Sequence, residues 1–367
     1  MGNTRWIGWA GVAFLGLALA GCGTTAQGGA SQAMAPNNTM GSSTSSPASS
    51  VGVNSQMSGS PGDVLVGAAA SPPTGSGSGM LIVDSIGAHR LFTISLSTGA
   101  NGFKVAVVGG LVYVPTLQGR TYVVSLQSDR LVKSFATPVG ARIADYSPTD
   151  NLLVITGPQN VTAYSLGSLK EVWQVASGGN ALSIVGGRAY LSGNMANATR
   201  VIDLKSGKIV ASVPVGHIED SVYDPQQHTL WLANWTNGDM TILDTADNTV
   251  VGVVQESEGG GFSMANMMMS SGGFMQLAVG PTGQHVYAAS FSGNIMVYNA
   301  GSNAFEKDIP TNIPMAKLSG IGVDASGQYA YVTVESSQET VTISLKTGKV
   351  LSTTKGLMSN RWTVVSH

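Results

Sequence analysis

Cysteine is all but absent from this 367-residue chain, whose one thiol, Cys22, stands near its start. An internal disulfide is therefore excluded, as are Cys-ligated zinc, iron–sulfur clusters and cysteine nucleophiles anywhere beyond residue 22. Charge is nearly as scarce. Charged residues make up 10% of the chain, 18 basic against 20 acidic, giving a formal net charge of -2 and a pI near 6.2. That balance exerts no general pull on nucleic acid or anionic lipid, and nucleic acid is not expected as a partner. An HExxH pair, a Walker loop, an EF-hand loop and a nucleophile elbow are all missing. With no catalytic constellation legible, a binding or scaffolding module is favoured over an enzyme.

Glycine, by contrast, is abundant at 48 residues, and Ser, Thr, Asn and Val recur throughout. Such a composition favours short strands and tight turns over helices, so an all-β fold is expected.

Residues 1–22 begin with Arg5, continue through the apolar run Ile7 to Ala20 and end in Leu19-Ala20-Gly21-Cys22. A charged start, an apolar stretch of this length and small residues before a cut describe a secretory signal peptide. The run falls short of the ~20 residues that a spanning helix needs, which argues against an uncleaved anchor. Leu-Ala-Gly-Cys resembles the bacterial lipobox, which implies lipid modification of Cys22 and attachment to a membrane. Gly23 in place of Asp after that cysteine implies the outer membrane, facing the periplasm, in a cell with two membranes. Residues 23–79 are mostly Ser, Gly, Ala, Pro, Asn, Thr and Met, with Asp63 their only charge. So few large apolar side chains cannot offset ordering entropy, and a flexible tether with a reach of roughly 40 Å is expected.

Across residues 80–367 one pattern returns seven times: a strand ending in an apolar residue, then Ser, Asp or Asn, then a short turn. The polar markers are Ser95, Ser125, Ser165, Asp203, Asp244, Asn299 and Ser344, spaced by 30, 40, 38, 41, 55 and 45 residues. A Val/Leu/aromatic strand precedes most copies, at 111–115, 152–156, 188–191, 229–233, 285–288 and 329–334. Turns such as Asp224-Pro-Gln-Gln-His228 and Gly280-Pro-Thr-Gly-Gln284 lead into these strands. Four short antiparallel strands every ~40 residues predict a seven-bladed β-propeller. The stretch Leu230 to Val251 resembles the YVTN-type propeller repeat, and Tyr331-Val-Thr-Val334 matches that motif's sense. The resemblance implies fold more than function, because propellers host lactonases, lyases, surface proteins and binding modules alike.

The first unit, starting at Met80, lacks an innermost strand. Arg361-Trp-Thr-Val-Val365 aligns with the innermost strands of other units, so the chain end is expected to complete blade one and remove an open edge. Counting back from the aligned strands places Lys104, Arg142, Ala181, Glu219, Met275, Ser319 and Arg361 at one mouth of the central channel, with His217 close to Glu219. Three bases against one acid suit a small anionic ligand. Solvated charges around a water-filled channel are the plainer reading, and a lactonase- or lyase-like site is a further alternative. The 55-residue gap carries Met264, Met267, Met268, Met269 and Met275. Thioether sulfur suits Cu(I), but it also suits an adaptable protein-binding surface or a simple loop. The five histidines show no metal-ligand spacing, and His228 and His285 fall at hairpin turns.

Overall fold

A computed structural model describes residues 59, 62–69, 78–85, 90–98, 102–193, 195–234, 236–255, 273–356 and 358–365. Blade one holds β1 (Val64–Ala68), β2 (Ser78–Ser85) and β3 (Arg90–Thr98). Blade two holds β4 (Ala106–Val108), β5 (Leu111–Thr116), β6 (Arg120–Ser125) and β7 (Arg130–Ala136). Blade three is β8 (Ile143–Ser147), β9 (Leu152–Thr156), β10 (Val161–Ser165) and β11 (Glu171–Val175). Blade four is β12 (Ala181–Val185), β13 (Arg188–Ser192), β14 (Thr199–Asp203) and β15 (Ile209–Val213). Blade five is β16 (Ile218–Asp224), β17 (Thr229–Asn234), β18 (Met240–Asp244) and β19 (Thr249–Val254). Blade six is β20 (Phe274–Val279), β21 (His285–Ser290), β22 (Asn294–Asn299) and β23 (Ala304–Pro310). Blade seven is β24 (Leu318–Val323), β25 (Tyr329–Val334), β26 (Glu339–Ser344) and β27 (Val350–Lys355). The last strand, β28 (Trp362–Val365), returns to blade one.

Each blade is a four-stranded antiparallel sheet, and the innermost strands β4, β8, β12, β16, β20, β24 and β28 each touch the next until β28 meets β4. The fold is thus all-β, seven blades in a ring, with no helix among the described residues. Burial follows from this packing. Second strands such as β9 (Leu-Leu-Val-Ile-Thr) and β17 are covered on both faces by neighbouring blades, so they read as continuous apolar runs instead of alternating ones. Outermost strands such as β19 and β15 face solvent and carry exposed valines.

The repeated polar marker has a local cause. Asp203 Oδ1 accepts from the Ser206 amide at 2.8 Å, Asn299 Oδ1 from Ser302 at 2.9 Å and Ser125 Oγ from Ser128 at 3.2 Å. These three markers fold the third strand back onto the fourth by mimicking a backbone turn. The turn closes on a left-handed residue such as Gly207 (φ 67), where a Cβ is disfavoured.

Two expectations shift at blade one. The stretch 23–79 was expected to be tether throughout, yet Val64–Ala68 forms β1, with Leu65 and Val66 fully buried. Three large apolar residues suffice because both flanking strands, β2 and β28, pair with them. The propeller consequently begins near Asp63 and not at Met80. Met80 to Val83 then belongs to the third strand and Ser95 lies in the fourth, so the sequence position equivalent to the marker in blade one, the last of the third strand, is Ser85. That position stands 40 residues before Ser125, and the irregular first spacing of 30 disappears. The chain end does supply the innermost strand: Val364 pairs Leu65 and Trp362 pairs Gly67. Residues 1–22, including Cys22, and nearly all of 23–61 lie outside the described residues.

Candidate ligand site at the channel mouth

The innermost strand of every blade is a sheet edge, and its channel-facing amides have no ladder partner. Inward-facing side chains, most of them from another blade, supply partners at several of these edges. Asp220 on β16 accepts from the Leu277 amide on β20 at 2.8 Å, and Gln276 on β20 accepts from Ile321 on β24 and from Trp362 on β28, both at 2.8 Å. Gln276 also donates to the Trp362 carbonyl at 2.7 Å. Asp145 on β8 accepts from the backbone of Tyr146 and of Ile184 on β12. Ser183 on β12 bonds both the carbonyl and the hydroxyl of Ser221 at 3.1 and 2.8 Å. These inward polar residues stitch the ring together.

Bulges aim them. Register slips by one residue between Ile218 and Asp220, and β20 slips likewise between Phe274 and Gln276. In a regular strand Glu219 and Asp220 would face opposite ways; the bulge turns both toward one guanidinium. That guanidinium is Arg361, 1% exposed, which pairs Glu219 Oε1 through Nη2 at 3.3 Å and Asp220 Oδ1 through Nη1. Its Nη2 also donates to the Glu219 carbonyl at 2.9 Å, and Glu219 Oε2 accepts from Asn180 at 2.5 Å. Both carboxyl oxygens of Glu219 are therefore engaged, and the residue is 3% exposed. Burial pushes its pKa up to about 7; Arg361 pulls it down, Asp220 pushes it further up, and Arg142 and Asn180 pull it down. Burial also raises Asp145, against the pull of Lys104.

Arg142 stands differently. Its amide bonds the Thr156 carbonyl and its own carbonyl accepts from Phe103 and Lys104, all at 3.1 Å, which fixes the backbone between blades two and three. Its guanidinium lies 4.7 Å from the Phe103 ring centroid, and that of Arg361 lies 4.8 Å from the same ring. Among the described residues the Arg142 side chain makes no hydrogen bond and no salt bridge. Burial and the Arg361 charge weaken its hold on a proton, while Glu219 strengthens it. It borders a cavity of about 350 Å³ on the face where fourth strands lead into first strands, together with Leu117, Pro158, Asn180, Met195 and Ala196. Glycines 140, 157, 178, 179 and 193 complete the lining. They are needed for close approach: a Cβ on Gly179 would run into the Ser192 carbonyl.

Of the residues expected at the mouth, Arg142, Glu219 and Arg361 form one cluster. Lys104 lies deeper, bordering the bore beside Asp220 and Gln276 and donating to the Leu182 carbonyl at 3.2 Å. Ala181 and Ser319 are buried, and Met275 is half-buried at the β20 bulge. His217 departs from the expectation. Its left-handed backbone (φ 58) directs it to an outer groove shared with Pro214, Asn237 and Val253, away from the channel. Met264, Met267, Met268 and Met269 lie outside the described residues, and among the described residues no cluster of His, Cys, Asp or Glu has the makings of a metal site. Phe103, Asn180, Asp220 and Gln276 escape sequence reasoning. Asp220 alone carries a signal, as a second acid directly beside Glu219 on β16.

No protein-family model matches this chain, and no curated protein does. Among solved structures it is similar to hydrazine synthase of Kuenenia stuttgartiensis, with a TM-score of 0.61 and 13% identity over 72% of this chain and 95% of that one. At that identity the likeness bears on the propeller fold alone.

Proposed function

We propose that this chain is a non-enzymatic binding propeller of the cell envelope, held to a membrane by lipid on Cys22, which captures a small anionic ligand at the channel mouth. One observation carries the ligand reading: the guanidinium of Arg142 borders an open cavity and has no acceptor among the described residues. Charged donors so placed recognise carboxylates and phosphates. The neighbouring acids do not compete for it as catalytic groups would, since Asp220 and Glu219 are held by Arg361, Asn180 and the Leu277 amide. A general base needs a reachable oxygen, and Glu219 has none to spare.

Thermal-shift and calorimetric titration with small carboxylates, phosphate and neutral analogues tests the reading. Anions are expected to stabilise the protein and neutral analogues to do nothing, with the response lost in Arg142→Gln. Equal responses from that variant would contradict it. For the anchor, Cys22→Ala is expected to move the protein from the membrane to the soluble fraction; continued sedimentation with membranes would contradict lipidation.

A further inference from the structure

The cavity beside Arg142 discriminates between kinds of anion. A phosphate site is ordinarily built from several backbone N–H groups converging on the ligand, often in a glycine-rich loop. This cavity is glycine-rich, yet the amides of Gly140, Gly157, Gly179 and Ala196 are already bonded to backbone carbonyls. The amide of Gly140 donates to the Leu117 carbonyl at 2.8 Å, that of Gly157 to Asn160 at 3.0 Å and that of Gly179 to Gly157 at 2.9 Å. Ala196, on the opposite wall, donates its amide to Gly193 at 3.0 Å. The glycines serve close backbone approach and leave these N–H groups spent. One guanidinium is the cavity's only cation among the described residues, which matches a single negative charge on the ligand.

The remaining walls are carbon. Leu117, Pro158 and Ala196 offer apolar surface, and Met195, 89% exposed at the rim, is a deformable side chain able to settle on a bound body. A volume of about 350 Å³ is at the small end of the roughly 300–1,000 Å³ typical of small-molecule sites, which restricts that body to a single ring or a short chain.

Resting on the anion-binding reading, we infer that the ligand is a compact amphipathic monocarboxylate, its carboxylate on Arg142 and its apolar body between Leu117, Pro158 and Met195. A planar guanidinium matches a carboxylate with two parallel hydrogen bonds, and the carbon walls desolvate the rest.

Phenylacetate, phenylacetamide and inorganic phosphate serve as probes, each titrated calorimetrically into the full chain purified in detergent. Phenylacetate is expected to bind, and the amide and phosphate to bind at least tenfold more weakly. Arg142→Gln and the cavity-filling Ala196→Phe should each weaken phenylacetate at least tenfold while melting near the wild-type temperature. Phosphate binding as tightly as phenylacetate through Arg142 would overturn the monocarboxylate class and leave the anion-binding reading standing. Phenylacetamide matching phenylacetate would overturn the role of the carboxylate. If neither phenylacetate nor phosphate binds in a manner that depends on Arg142, both readings fall.

Discussion

Glu219 and Arg142 sit in one channel mouth, yet their surroundings divide the work between them. Glu219 is buried and doubly held, and its pKa is raised from 4.5 to about 7. Over that interval the folded protein keeps a proton that the unfolded chain has released, so stability is fullest below about pH 4.5 and declines as pH rises toward 7. Asp145 and Glu335, both raised chiefly by burial, act in the same sense. Melting temperature is therefore expected to fall between pH 4.5 and pH 7.5, and Glu219→Gln should flatten that fall without abolishing it. A melting temperature that climbs across this range would contradict the assignment.

The strands show what can be read in sequence and what cannot. Polar markers are visible because each makes a local turn with a partner two or three residues away. The second strands β5, β9, β13, β17, β21 and β25 stand out because burial on both faces demands unbroken apolar runs. β1 is hidden by dilution, three apolar residues amid a Ser/Gly/Pro stretch, and its loss displaces the first marker by a strand. The channel contacts are equally hidden. Asp220 and Gln276 find their partners 57 and 45 residues away, across blade boundaries that no local pattern encodes. The C-terminal strand is legible by alignment, but its seat is not. Gly67 faces Trp362 so closely that a Cβ would stand 2.6 Å from the Trp362 ring and from Ser359 Cβ. Gly67→Val is expected to cost about 1–3 kcal/mol by overpacking the closure, measured by denaturant unfolding. An unchanged midpoint would show that β28 is not held against β1 as described.

At the scale of the whole molecule, seven blades leave only inner and outer strand edges, and β28 pairs with β1 to complete blade one. The inner edges are satisfied by Asp145, Asp220, Gln276 and Ser183, so most polar groups lining the bore are committed to holding the ring. Arg142 is the exception at the face where the methionine-rich connection between β19 and β20 begins and ends. Among the described residues the cavity at the mouth thus holds one charge without a hydrogen-bond or ion-pair partner, which is the basis for reading the molecule as a receptor for a small anion. Nuclear magnetic resonance of the arginine side chains addresses this directly, with the Arg142 Nε–Hε signal assigned by its loss in Arg142→Lys. Added phenylacetate is predicted to shift that signal in a saturable manner while the buried Arg361 signal moves little. A titration that leaves Arg142 unmoved, whatever binds elsewhere, would contradict the account.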